Sequence, residues 1–349
     1  MAPATPRDPA PPRGDGASYH RWVQWRSLVA RLPYPSVATQ RLIAIAAVIT
    51  QAGIGVSGSI VRVTGSGLGC PTWPQCHPGT MFPVQHPEYE TLHQWIEFTN
   101  RMFTGVVVFV AGLCLLAALR VKAAHPERGR LVLLAAAMPA GVVLQAGIGG
   151  ITVLTELLWW TVAVHFLVST LLVWLAVVLL HAFGEGDERP RWLLSWPQRR
   201  LLMLLVATLA GVLIAGTLVT AAGPHGGDPE TPRLDVPIEV LAKLHGTLLV
   251  AFLGVLVLLG VTLWRGPAAA RFTRRYVLVW LAALAQGGLG SVQYALGVPE
   301  SLVSLHVLGA ALVVIATAAL WCSARERGAA PVSPKAPAEA TADLGAASN

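Results

Sequence analysis

The chain has 349 residues, of which 54% are hydrophobic and 12% charged. A soluble domain carries about 25% charged residues, so an ordinary globular protein is excluded. The net charge of +7 does not point to nucleic acid, because the basic residues fall between apolar stretches in alternate segments.

Residues 1–39 are rich in Pro, Ala, Gly and Arg and read as a disordered, basic, cytoplasmic tail. This tail is not expected to be a cleavable leader, because the first apolar run begins only after residue 40 and is long enough to span a bilayer. Eight stretches of spanning length follow: 42–61, 98–119, 131–153, 159–183, 201–222, 240–264, 276–297 and 302–322. Helices are the expected form, since lipid offers no partner for free backbone groups. The fold expected is therefore an all-α membrane protein of eight transmembrane helices.

Arg41, Arg120, Arg128, Arg191, Arg200, Arg271 and Arg325 flank one set of helix ends, and Glu88, Glu156, Asp228 and Glu300 lie in the alternate loops. The positive-inside pattern expects a multi-pass cell-membrane protein with both termini cytoplasmic. The loop between spans one and two then faces outward.

The first four spans resemble the last four. Gln145 matches Gln286 and His165 matches His306, both at an offset of 141 residues. "GSIVRVTG" from Gly58 matches "GTLVTAAG" from Gly216 at 158, and Asn100 lies opposite His245 at 145. "QAGIG" from Gln145 thus returns as "QGGLG" from Gln286, whereas the copy at Gln51 does not fit the offset and reads as an echo of composition. An even number of spans per repeat makes the halves parallel, related by an axis along the membrane normal. The expected division is a 40–184 half, a cytoplasmic 185–200 linker, a 201–322 half and a disordered cytoplasmic 323–349 tail.

Three histidines, His165, His245 and His306, fall inside spans four, six and eight. An ionisable residue within a membrane is a functional candidate by default, against the alternative of a neutral imidazole bonded to a neighbouring helix. Zinc wants a compact cluster of ligands that the spans do not offer. Heme iron wants one or two axial ligands on opposite sides of a plane, and facing helices of a bundle supply them. His245 and His306 are thus the candidate axial pair of a b-type heme in the second half. With Asn100 in the partner position, the first half keeps His165 as the favoured sole ligand. His93 lies seven residues before Asn100, about 10 Å along a helix, and would serve only with a displaced heme or a broken helix. Glu97 is a candidate proton acceptor or polarising group, with a solvated end residue as the alternative. Cys70 and Cys76 flank Pro71 and Pro74 in the first outward loop, where an oxidising exterior permits a disulfide, either as a staple or as a redox-active pair. Arg62, Arg101 and Lys243 are available near helix ends for heme propionates, or simply to snorkel.

These residues resemble the heme A synthase family in its eight-span, actinobacterial-type form. The resemblance rests on "GSGLGCPTWPQC", "HQWIEFTNR", "QAGIGGITVLT", His165, "KLHG" and "SLHVLGA", and covers residues 40–322. It implies a membrane oxidoreductase that oxidises the C8 methyl of heme O to the formyl of heme A for aa3-type oxidases. It further implies a heme b cofactor held by His245 and His306, and a substrate site in the first half at Glu97 and His165. Heme O is the substrate, and heme O synthase and cytochrome oxidase assembly proteins are the expected partners. Many members carry His where this chain has Asn100. Two other functions fit the same residues: a diheme b-type electron carrier, which would need a fourth axial ligand, and a non-enzymatic heme chaperone.

Overall fold

A computed structural model describes residues 28–264, 270–331 and 333. The eight expected spans are eight helices: α1 (Val37–Val63), α2 (Thr91–Ala124), α3 (Gly129–Leu154), α4 (Trp159–Phe183), α5 (Trp196–Ala222), α6 (Ile238–Trp264), α7 (Ala270–Ala295) and α8 (Glu300–Ser323). All eight are long and apolar enough to cross a membrane. Most of the expected tails, with Arg7, Arg13, Arg21, Arg26 and His20, lies outside the described residues.

Helix ends depart from expectation where polar chemistry extends a helix past its apolar run. Ser36 caps α1 by accepting from the Thr39 amide at 3.1 Å. A capping box starts α5: the Ser195 amide donates to Gln198 Oε1 at 3.0 Å. The first two turns of α2 are polar, yet Gln94 anchors them by donating to the Tyr89 carbonyl at 3.0 Å and accepting from the Val84 amide at 3.1 Å. Gly297 and Val298, both at positive φ, end the turn between α7 and α8.

α1, α2, α3 and α4 close into a bundle in which each helix packs along both neighbours. The second four pack differently. α5 lies along α6 and α7 along α8, while the α6–α7 and α5–α8 seams touch sparsely. α8 joins the halves by packing on α1 and α4.

Two apolar cores fill one end of each half. The first contains Ala44, Val48, Cys114, Val121, Leu131, Met138, Leu172 and Leu179. The second contains Leu202, Leu205, Phe252, Leu256, Leu259, Phe272, Val279 and Leu320. Both lie toward the basic end and stop short of the level of His165, His245 and His306. At the opposite, loop end the core shrinks to Cys70, Cys76 and Phe98.

The basic end is tied by polar contacts. Arg128 is buried, donates to Asp187 Oδ1 at 3.0 Å and to the Ala182 carbonyl at 2.8 Å, and burial holds its pKa below the usual guanidinium value. Asp187 Oδ2 accepts from the Arg130 amide at 2.6 Å and caps α3. β1 (Arg191–Trp192) pairs antiparallel with β2 (Arg325–Glu326). The disorder expected from residue 323 is therefore corrected for the residues after α8. They complete a two-stranded ribbon, and Ala329 bridges to Glu185. Composition alone hid this, because a two-residue strand carries no periodic signal.

Candidate functional site

The site follows from what each histidine ring rests on. His245 (α6) sits against Gly216 (α5): a Cβ there would lie 3.2 Å from the ring Cε1. His306 (α8) sits against Gly290 (α7), where a Cβ would lie 2.8 Å from Cε1. His165 (α4) sits against Gly149 (α3), with 3.2 Å to Cε1. Each ring thus occupies a seat that only a glycine on the preceding helix leaves open.

This explains "QAGIG" and "QGGLG". The Gln at the head of each donates to the carbonyl of the next helix's histidine, Gln145 to His165 at 2.9 Å and Gln286 to His306 at 2.8 Å. The closing Gly of each, Gly149 or Gly290, is the seat. In the copy at Gln51 the closing Gly55 has nothing within 4 Å. Among the described residues, both halves also leave the same buried atoms without a hydrogen bond: Oε1 of Gln145 and Gln286, and Nδ1 of His165 and His306.

The rings of His245 on α6 and His306 on α8 approach each other between the two hairpins, with centroids 6.4 Å apart. His245 Nδ1 donates to the Val212 carbonyl at 2.9 Å, which leaves Nε2 with the lone pair for a metal. An imidazole nitrogen sits about 2 Å from a metal it ligates, and roughly 1 Å more reaches each ring centre, so two rings sharing one ion stand about 6 Å apart. The observed spacing matches. These two residues therefore fit the axial pair of a heme. Among the described residues no group of three or more His, Cys, Asp or Glu comes together to hold a metal ion.

The first half brings together a different set. Asn100 (α2) meets Ser57 (α1), whose hydroxyl donates to Asn100 Oδ1 at 2.6 Å. A cleft of about 540 Å³ opens here, lined by Ser57, Trp95, Ile96, Thr99, Asn100 and Phe103 among others.

Glu97 lies elsewhere. It is buried on the face of α2 that meets the first long loop, and it does not line the cleft. Its Oε2 accepts from the Cys70 amide at 2.7 Å, and its Oε1 from Arg101 Nε at 3.1 Å. Arg101 continues into the loop, donating to the carbonyls of Cys70 at 2.9 Å, Thr72 at 2.8 Å and Gln75 at 3.1 Å. Cys70 and Cys76 form a disulfide. Glu97 and Arg101 thus clamp the disulfide loop onto α2, and Trp73 at the loop's tip packs against Gly150 of α3. The i, i+4 spacing of Glu97 and Arg101 is the signal that foretells this pair. Arg101, expected as a propionate partner, has its guanidinium engaged by the loop.

His93 is half-buried near the start of α2, 3.9 Å from the Glu90 carboxylate, and its backbone abuts Gly69. Arg62 donates to the His225 carbonyl at 2.6 Å, which ties the end of α1 to the α5–α6 loop. Lys243 is exposed on α6, near His245 in sequence. Sequence reasoning missed the glycine seats, Ser57 and the Val212 carbonyl. A small residue on one helix facing a histidine on the next shows only once the helices are in register.

Residues 40–224 match the family model described as cytochrome oxidase assembly protein, COX15-CtaA. The chain belongs to this family. The match contains His165, Asn100, Glu97 and the cysteine pair, and ends before His245 and His306. Three curated relatives are named Heme A synthase. That of Bacillus pumilus (strain SAFR-032) is 33% identical over 144 residues, covering 41% of this chain and 43% of the relative. That of Geobacillus thermodenitrificans is 30% identical over 129 residues, 36% of this chain and 37% of the relative. That of Geobacillus kaustophilus (strain HTA426) is 28% identical over 128 residues, with the same coverage. The aligned stretch spans less than half the length of each of these relatives.

Proposed function

We propose that this chain is a heme A synthase, a membrane oxidoreductase that oxidises the C8 methyl of heme O to the formyl of heme A. Family membership and three relatives of that name support the reading. The observation that carries it is the His245–His306 pair, seated on Gly216 and Gly290 with rings 6.4 Å apart.

In this reading His245 and His306 would hold a resident heme b, which would supply a one-electron relay for the oxidation. The Val212 carbonyl orients His245 and keeps its Nδ1 protonated. The first half receives heme O, with His165 as its one protein ligand. Glu97 and Arg101 hold the disulfide loop over that half, so Glu97 acts on the reaction through the roof it fixes. The basic end, with Arg128, Arg191 and Arg271, faces the cytoplasm of the cell membrane by the positive-inside rule. Heme O synthase as supplier, and oxidase assembly proteins as recipients, are the partners this reading implies.

The test is co-expression with a heme O-producing partner, followed by chromatography of extracted pigments. Heme A in the extract is the expected result. Heme O alone, from cells in which the protein is present in the membrane, overturns the reading.

A further inference from the structure

The two helix pairs α1–α2 and α5–α6 share one register. Gly53 faces Phe103, with 3.5 Å from its Cβ position to Cε1, and Gly211 faces Leu248, with 3.7 Å to Cδ2. Residues 53 and 211 are 158 apart, and 103 and 248 are 145 apart, the offsets that relate Gly58 to Gly216 and Asn100 to His245. In the second pair the seat is made of Gly216, the Val212 carbonyl and His245. In the first pair the glycine is kept as Gly58, where a Cβ would meet nothing within 4 Å among the described residues. The carbonyl is kept as Ile54, 3.1 Å from the Ser57 hydroxyl oxygen. Only the ring is replaced. Asn100 stands in its place, bonded to Ser57, and Ser57 stands where the second pair has Ala215.

We infer that the α1–α2 pair carries an open, imidazole-shaped seat on the first heme site, and that this seat admits a small neutral lone-pair donor from solution. The inference rests on the proposed binding of a heme at His165. Gly58 supplies the space, Ile54 the acceptor for a ring N–H, and Asn100 is too short to reach an iron that a histidine in its place would ligate. A cleft lined by Ser57 and Asn100 opens beside this pair. Asn100 is thereby the residue that keeps one axial face of the first site free, while the second site is closed on both faces.

The test uses the full chain with its resident heme, loaded with hemin and titrated with imidazole while absorption and electron paramagnetic resonance are followed. The resident heme, ligated twice, does not respond. The second equivalent should begin high-spin and turn low-spin saturably. In Asn100→His it should be low-spin from the start and insensitive to imidazole. In Gly58→Leu, which fills the seat without adding a ligand, it should stay high-spin with imidazole affinity reduced at least about tenfold, near 1.4 kcal/mol. A wild-type second equivalent already low-spin, or an Asn100→His protein that stays high-spin and still binds imidazole, overturns the inference alone. Failure of wild type to take up a second hemin, or uptake unaltered in spectrum by His165→Ala, overturns the proposed first-half site and this inference with it.

Discussion

The two halves build the same frame and finish it differently. Each uses a Gln to hold the next helix by a histidine carbonyl and a glycine to seat that histidine's ring. The second half adds a second ring, and its hairpins stand apart along the α6–α7 and α5–α8 seams. The first half has Asn100 and Ser57 instead, closes all four seams, and adds a roof in the disulfide loop. A pocket that keeps its guest benefits from ligands on both faces. One that must bind, transform and release benefits from a single ligand and a cover. Under the proposed function, the contrast supports residence in the second half and turnover in the first.

The comparison breaks most visibly at the ring pair. His245→Ala and His306→Ala should each abolish the low-spin b-type spectrum of the purified protein, and a retained spectrum in both would refute the ligand assignment. Next is the roof. Glu97→Ala should leave that spectrum intact and lower heme A formation on the order of 100-fold, the scale of a misplacement of about 1 Å at a reacting centre; normal heme A yield would remove Glu97 from the reaction.

The closed bundle can be tested on its own through Asp187→Ala. This strands the buried Arg128 and should cost about 3–5 kcal/mol, read as a lower melting temperature. The resident heme's spectrum should persist below that transition. The seats give the finest contrast. Gly216→Ala should crowd His245, cost about 1–3 kcal/mol and shift the resident heme's midpoint potential. Gly58→Ala meets open space and should change stability by no more than about 1 kcal/mol, with the potential unmoved. Equal effects at both positions would dissolve the distinction between filled and open seats.

Much of this was legible before any coordinates. Eight apolar runs give eight helices because lipid permits little else. The recurrence of Gln, Gly and His at matched offsets marks repeat positions, and the structure adds the contact between Gln286 and His306. The side chosen by Glu97 was not legible. Glu97 and Asn100 are three residues apart and share a face in sequence terms. Yet Glu97 turns to the Cys70 amide, because a folded loop offers a carboxylate more than the apolar cleft does. The early start of α2 at Thr91 escaped hydropathy for a related reason: Gln94 satisfies polar groups that composition counts against a helix. β1 and β2 escaped because a two-residue ribbon leaves no pattern to read.

The halves are stitched together at both rims. At one, the ribbon of β1 and β2 joins the segment after α4 to the segment after α8, and Arg191 pairs with Glu326. At the other, the Gly67 amide donates to the Gly227 carbonyl at 2.8 Å beside the Arg62–His225 contact. Fastenings at both rims oppose rocking of one bundle against the other. Under the proposed function, a large planar guest would then enter sideways between neighbouring helices, from the lipid.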